Sequence, residues 1–210
     1  SLQKQDYSQG FYEIIVIDDG STDGTAGMVK ELSHGNPNIR YLYHPNKGPA
    51  SARNLGISRA RADIVAFTDN DCILSPSWIK DMINVHKAYP EAAAIGGRTK
   101  VDIRNIKAMV SQSLSDGAIE TYIYGNKEVI FFPTCNVSLK RKYLNERFEE
   151  LFPSPAGEDL EFFWRLFKKE DRFVYRQDIE VFHSCHPDFR SFLKQAYLYG
   201  RGNLLAQYIH

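Results

Sequence analysis

The stretch EIIVIDDGSTDGT, Glu13 to Thr25, drives four apolar residues straight into two adjacent aspartates and then a run of small polar residues. Ile14–Ile17 is a short apolar run bounded by turn formers, which predicts a buried strand rather than a helix. Burying a carboxylate is costly, so Asp18 and Asp19 are expected where that strand leaves the core. The following run, TAGMVKELSHGNP, reads as a helix stopped by Gly35, Asn36 and Pro37. The side chain of Asp23 or Thr22 is placed to cap it. A calcium loop counted from Asp19 fails: its twelfth position is Lys30, not glutamate, and a strand precedes it.

The same alternation continues outward. IRYLY reads as a second strand, GPASARNLGISRARA as a helix, and DIVAFTDND as a third strand that ends in Asp69, Asn70 and Asp71. Ser75 is then expected to cap a helix with Pro76 in its first turn and Trp78, Ile79, Met82, Ile83 and His86 on one face. Strands alternating with helices predict an α/β fold, doubly wound, with a mostly parallel central sheet flanked by helices. Ligands of such sheets gather beyond the carboxyl ends of the strands. Asp18–Asp19 and Asp69–Asp71 are therefore expected on one sheet edge, converging on one crevice.

The second half is less regular and predicts a smaller mixed region. It holds an amphipathic stretch around Ile106–Ile119, a mixed strand region EVIFFPTCNVSL and a helix in GEDLEFFWRLFKK. After RFVYRQDIEVFH comes a last helix starting near Asp188, with Phe189, Phe192, Leu193, Ala196 and Tyr197 at the spacing of a buried face. A basic aromatic helix can also lie on a membrane, but the spacing favours core packing.

Bulk properties exclude several classes. The 210 residues are 43% hydrophobic and 25% charged, ordinary for one compact globular unit. Lys+Arg and Asp+Glu both total 26, so no net charge points to nucleic acid. Cys72, Cys135 and Cys185 are odd in number and scattered, which argues against a disulfide framework and for a reducing compartment. No apolar run approaches the roughly 20 residues that span a bilayer, and SLQKQDYSQG lacks a signal-peptide core. The segment is expected to be soluble.

Three short motifs carry chemistry. In FTDND, Asp69 and Asp71 can face a single hard cation that retained waters complete, and such a cation would neutralise a departing diphosphate. Gly157-Glu158-Asp159 opens a helix: the acids serve either the helix dipole or, in Asp159, a general base for an alcohol. Sequence alone leaves both open. His183-Ser184-Cys185-His186 has metal-ligand types but no second cluster at zinc spacing, leaving His183 as a residue lining a diphosphate site and a candidate ligand, with Asp69 and Asp71, of its metal. There is no G-x-S-x-G, phosphate-binding P-loop or G-x-G-x-x-G.

Taken in order, these pieces resemble the family 2 glycosyltransferases of GT-A fold. SLQKQDY is similar to the family's S-L-x-x-Q-x-Y helix end, and EIIVIDDGSTDGT to its nucleotide-binding strand and turn. NKGPASARNLGISRARADIVAFTDND matches its G-x-x-x-A-R-N-x-G segment and D-x-D motif, CNVSLKRKYL its acceptor-side segment, and GEDLEFFWRL its E-D motif with Arg165. The resemblance implies an inverting transferase that moves a sugar from a nucleotide-diphosphate donor, UDP-linked by preference, to an acceptor hydroxyl. Asp18 and Asp19 would receive the base, and Arg53 and Asn54 would help bind the donor. Asp69 would face ribose or metal, and Asp71 would ligate Mg²⁺ or Mn²⁺. Asp159 would deprotonate the acceptor, supported by Glu158. Residues 1–100 would form the nucleotide-sugar-binding half and 101–210 the acceptor-side and catalytic-base half of one domain.

Two departures qualify the match. The family begins with a strand and a P-x-Y-N-like turn ahead of S-L-x-x-Q, and this chain starts after them, so a central strand touching the nucleotide is expected to be missing. Q-x-x-R-W, the mark of processive polymerases, is absent, with QAYLYGRG near its place; transfer of single sugars is expected. The resemblance further implies polysaccharide or glycolipid synthesis, a carbohydrate or lipid-linked acceptor, and a cytoplasmic enzyme peripheral to the inner face of the cell membrane. Competing readings are a non-catalytic nucleotide-sugar or carbohydrate-binding module and a sugar nucleotidyltransferase. The latter should show a glycine-rich phosphate loop that this chain lacks.

Overall fold

The computed structural model describes residues 1–102, 104–110, 112–113, 131–152, 156–169, 172–184 and 188–209. The strand that opened the reading is β1, Ile14–Asp18, and it runs parallel to β2, Ile39–Tyr43, with Asp18 opposite Tyr43. Helix α1, Thr25–Ser33, makes the crossover, and the Asp23 carboxylate accepts the Thr25 N–H at 2.9 Å just ahead of it. Gly20 has φ 83°, and a Cβ there would lie 2.8 Å from Asn46 Cβ, so only glycine lets the turn after the two aspartates meet the loop after β2.

Helix α2, Pro49–Arg59, leads to β3, Ile64–Phe67, which belongs to a second, mixed sheet. Its other strands are β4, Cys72–Leu74, β5, Ala92–Val101, β6, Val137–Lys140, and β7, Arg172–His183, in the order β3-β6-β5-β7-β4. β5 and β7 are parallel, whereas β3–β6, β5–β6 and β4–β7 are antiparallel. Helices α3, Trp78–Ala88, α4, Glu158–Phe167, and α5, Phe189–Ile209, complete the fold. Two cores form in the mixed sheet, one around Phe132, Phe148, Phe162 and Phe163, the other around Trp78, Met82, Ile95 and Val181. Between them the buried Asn136 accepts the Trp78 indole N–H and donates to the carbonyls of Arg98 and Ile179. A buried amide is tolerated here because its donors and acceptor are all matched.

Several expectations change. The α/β architecture holds, but β1 and β3 do not share one ladder: among the described residues β1 pairs with β2 and β3 with β6. α2 joins the two instead, since Gly56 abuts Ile17 while Ala50 and Ile57 enter the core with Val65 and Phe67. α3 starts at Trp78 rather than at Pro76; Ser75 gives its carbonyl to Trp78 N–H and to the Gln5 amide. The three-residue β4 was too short to show a period. In α5 most of the expected inward face is turned out, with Phe189, Leu193 and Tyr197 at 64%, 50% and 68% exposure, while Phe192 stays half-buried. The protein-facing side carries Phe192, Gln195, Leu198, Gly202 and Ala206.

Of the stretch Ile106–Ile119, residues 106–110 and 112–113 are helical; 111 and 114–119 lie outside the described residues, as do 128–130 of the mixed strand region. Cys72 and Cys135 are free thiols, and Cys185 and His186 fall outside. Among the described residues no helix is long and apolar enough to cross a membrane.

Candidate active site

The two aspartates of β1 do different work. Asp18, buried, accepts the Tyr41 hydroxyl at 2.6 Å and the Ser21 N–H at 2.8 Å, and the Tyr41 bond leads in holding its carboxyl below the usual range. Asp19 clamps the loop that opens α2. It pairs with His44 Nδ1 at 2.5 Å and accepts the N–H groups of Lys47 and Gly48 at 2.9 and 2.8 Å. Burial opposes its ionisation, but these bonds outweigh it and lower its pKa. His44 is braced in turn by Ser51. Each carboxylate still has an unused lone pair for a ligand.

One and a half turns into α2, Arg53 reaches the other acids, binding Glu158 Oε1 at 2.5 Å. Its charge also acts on Asp69 and on Asp159. Asn54 is committed to the loop before α4: it donates to the Phe148 carbonyl and Glu150, and accepts the Phe148 N–H.

Beyond the end of β3, burial pushes the Asp69 carboxyl up, partly offset by Arg53 and reinforced by Asp71. Asp71 pairs with His183 Nε2 at 3.1 Å. That bond lowers the Asp71 pKa and raises that of His183. The pairing is a product of topology: β4 follows the acids at once and lies antiparallel to β7, setting Cys72 opposite His183, and Ser184 N–H donates to the Asp71 carbonyl at 2.7 Å. Asp71 of the predicted D-x-D and His183 therefore meet, 112 positions apart in the chain.

Asp159 stands in the first turn of α4 beside the same group. Burial first, and the neighbouring Glu158 second, push its carboxyl up to about 7, with Arg53 pulling the other way. Glu158 is 4% exposed, and its Oε2 has no hydrogen-bond partner among the described residues. Gly157 holds φ 93° at the helix start, and α5 crosses it closely: a Cβ on Gly202 would lie 2.1 Å from the Ala156 carbonyl oxygen. Gly202→Val is expected to lower stability by about 1–3 kcal/mol, readable as a fall in melting temperature. Sequence reading missed this crossing, and it missed Tyr199, whose hydroxyl accepts from Gln195 and whose phenol is pushed up by burial and by the charges of Asp159, Cys135 and Asp69. The glycines of YGRG were a signal for close approach.

Asp71 and His183 bring hard oxygen and imidazole donors to one point, with Asp69 near enough to be influenced by the charges of both, a set suited to Mg²⁺ or Mn²⁺. The two functional poles are thus a cation-type cluster and a carboxyl poised near neutrality, both within reach of Arg53.

The model of the family described as "Glycosyl transferase family 2" matches residues 1–148. The chain belongs to that family. A pre-mycofactocin glycosyltransferase of Mycobacterium tuberculosis is 28% identical over 195 residues, covering 89% of this chain and 40% of that protein. The glycosyltransferase AglE of Haloferax volcanii is 23% identical over 222 residues, covering 97% and 66%. The chain thus spans about two fifths of the first of these relatives and about two thirds of the second. Among solved structures, a mannosyltransferase from Pyrobaculum calidifontis in complex with GDP-Man and Mn²⁺ aligns with TM-score 0.70 at 18% identity, covering 98% of this chain and 62% of that one. S. aureus TarS in complex with UDP-GlcNAc aligns with TM-score 0.69 at 20% identity, covering 91% and 54%. These likenesses show the GT-A-type fold.

Proposed function

We propose that the chain carries the donor site and the base of a metal-dependent, inverting glycosyltransferase that adds single sugars to an acceptor hydroxyl. The observation that carries it is Asp159: a carboxyl pushed up to about 7 at a helix start, sharing Arg53 with the Asp69–Asp71–His183 cluster. A base titrating near neutrality is suited to take a proton from an alcohol. Neighbours of the same fold were solved with GDP-Man and Mn²⁺ and with UDP-GlcNAc, which supports a nucleotide-sugar donor.

Asp19 and Asp18, at the end of β1, accept the ring N–H groups of the base; a uracil imide is the preferred partner. Glu158, fixed by Arg53, keeps Asp159 at the helix start and raises its affinity for a proton. Asp71, with Asp69 and His183, would hold Mg²⁺ or Mn²⁺, which supplies positive charge to the leaving diphosphate. Asp159 takes the acceptor proton while the acceptor oxygen bonds to the anomeric carbon and the bond to the diphosphate breaks on the opposite face. The nucleoside diphosphate leaves with the electron pair, and the configuration inverts. The acceptor is a growing polysaccharide or a lipid-linked sugar, and the protein works against the inner face of the cell membrane.

The test is to incubate the protein with Mn²⁺ and a panel of nucleotide sugars, following thermal protection and donor turnover. Protection by UDP-sugars and slow donor hydrolysis are expected; no protection and no turnover with any donor would end the enzyme reading. The pH profile follows from Asp159, which acts only when ionised: below about 7 the rate constant should fall about tenfold per pH unit and above it level off. A profile flat from pH 5 to 8 would remove Asp159 from the role.

A further inference from the structure

We infer that Cys72 is a further protein donor to the cation at Asp71 and His183, biasing this centre toward thiophilic metals. The inference rests on the metal site proposed above and adds to it a ligand that a D-x-D motif does not contain.

Strand register places the thiol. Cys72 and His183 are directly opposed in the antiparallel β4–β7 ladder, so their side chains emerge on the same face. Ile73, between Cys72 and Leu74, points away and is 55% exposed, while Leu74 is buried, so Cys72 turns inward. Asp71 reaches the same point from the residue just before the strand, bonding His183 at 3.1 Å. One donor atom from each of Asp71, Cys72 and His183 lies within 4.8 Å of the others. A metal with bonds of about 2.0–2.3 Å holds neighbouring donors roughly 3.5 Å apart. The three can therefore close on one ion with side-chain adjustments alone.

The chemistry of that donor set differs from an all-oxygen site. A thiolate is soft, favouring Zn²⁺ and Co²⁺ over Mg²⁺, with the carboxylate and imidazole compatible with all. On binding, the Cys72 thiol passes its proton to solvent and the sulfur becomes the anionic ligand. Cys135 is the other thiol nearby; it is buried, hydrogen-bonds Cys72 and lies 3.4 Å from Thr99 Oγ1. It serves as a control.

The experiment titrates metal-free, reduced protein with Co²⁺, Zn²⁺ and Mg²⁺, reading the cobalt absorption spectrum and, by calorimetry, the affinities. The wild type should show a near-ultraviolet thiolate-to-cobalt charge-transfer band that Cys135→Ser keeps and Cys72→Ser loses. Cys72→Ser should weaken Zn²⁺ binding by at least about tenfold, in line with losing a soft donor, while changing Mg²⁺ affinity by less than about twofold. The melting temperature of Cys72→Ser without metal should match the wild type, which excludes misfolding as the cause. A cobalt complex that Asp71→Ala abolishes but that carries no thiolate band overturns the role of Cys72 while leaving the donor-metal reading intact. Absence of any cobalt binding overturns both.

Discussion

Asp159→Asn is expected to reduce sugar transfer by about a hundred- to ten-thousand-fold, the range for losing a positioned general base, while the donor binds nearly as before. The amide is close in size to the carboxyl, so the fold of α4 and its crossing by α5 should persist. It cannot accept a proton at neutral pH. It also removes the charge whose burial, together with Glu158, makes the native carboxyl hard to ionise, so stability should not fall. Calorimetric donor titration and single-turnover transfer on the same sample separate the two effects. Transfer within a few-fold of wild type would exclude Asp159 as the base.

Asp71→Ala acts at the other pole. It removes an anionic ligand and leaves His183 without the partner that raises its pKa. Metal-dependent donor affinity is expected to fall by at least about a hundredfold, the upper end of what merely supporting partners of metal ligands cost. Donor binding without metal, which the proposed mechanism assigns to Asp18 and Asp19 at the end of β1, should change little. Comparing UDP binding with Mn²⁺ and with chelator measures this directly. An unchanged ratio between the two conditions would remove Asp71 from the metal role. Arg53→Lys is a sharper probe of the link between the poles, because a lysine cannot reproduce the guanidinium contact with Glu158 while bearing on Asp69.

Much of this site was legible in the sequence. Acid at the end of an apolar run can only sit at a strand terminus, so Asp18, Asp19, Asp69 and Asp71 were placed by local chemistry. Asp159 was legible as a helix-start acid, but its shift to about 7 was not, because that depends on burial and on Glu158 held by a residue 105 positions away. Tyr41 and His44, which hold Asp18 and Asp19, were hidden for the same reason: their contacts cross from β2 and its following loop. β4 escaped notice because three residues carry no readable period, yet it brings His183 to Asp71.

The α5 error is instructive in another way. Apolar spacing marks an amphipathic helix but does not say which neighbour covers it, and the glycine crossing at Gly202 rotated the helix so that Phe189, Leu193 and Tyr197 face outward. The separate pairing of β1 and β3 among the described residues was hidden similarly. Local alternation predicts each strand and its direction, whereas pairing is a long-range property, and here α2 joins the β1 and β3 ladders.

The central claim is a displacement at the anomeric carbon with Asp159 on the face opposite the leaving diphosphate. Slow hydrolysis of an α-linked nucleotide sugar by the Mn²⁺-loaded protein, followed by NMR faster than the released sugar mutarotates, tests it without knowing the acceptor. The first sugar released should be the β anomer; release as the α anomer would contradict the mechanism.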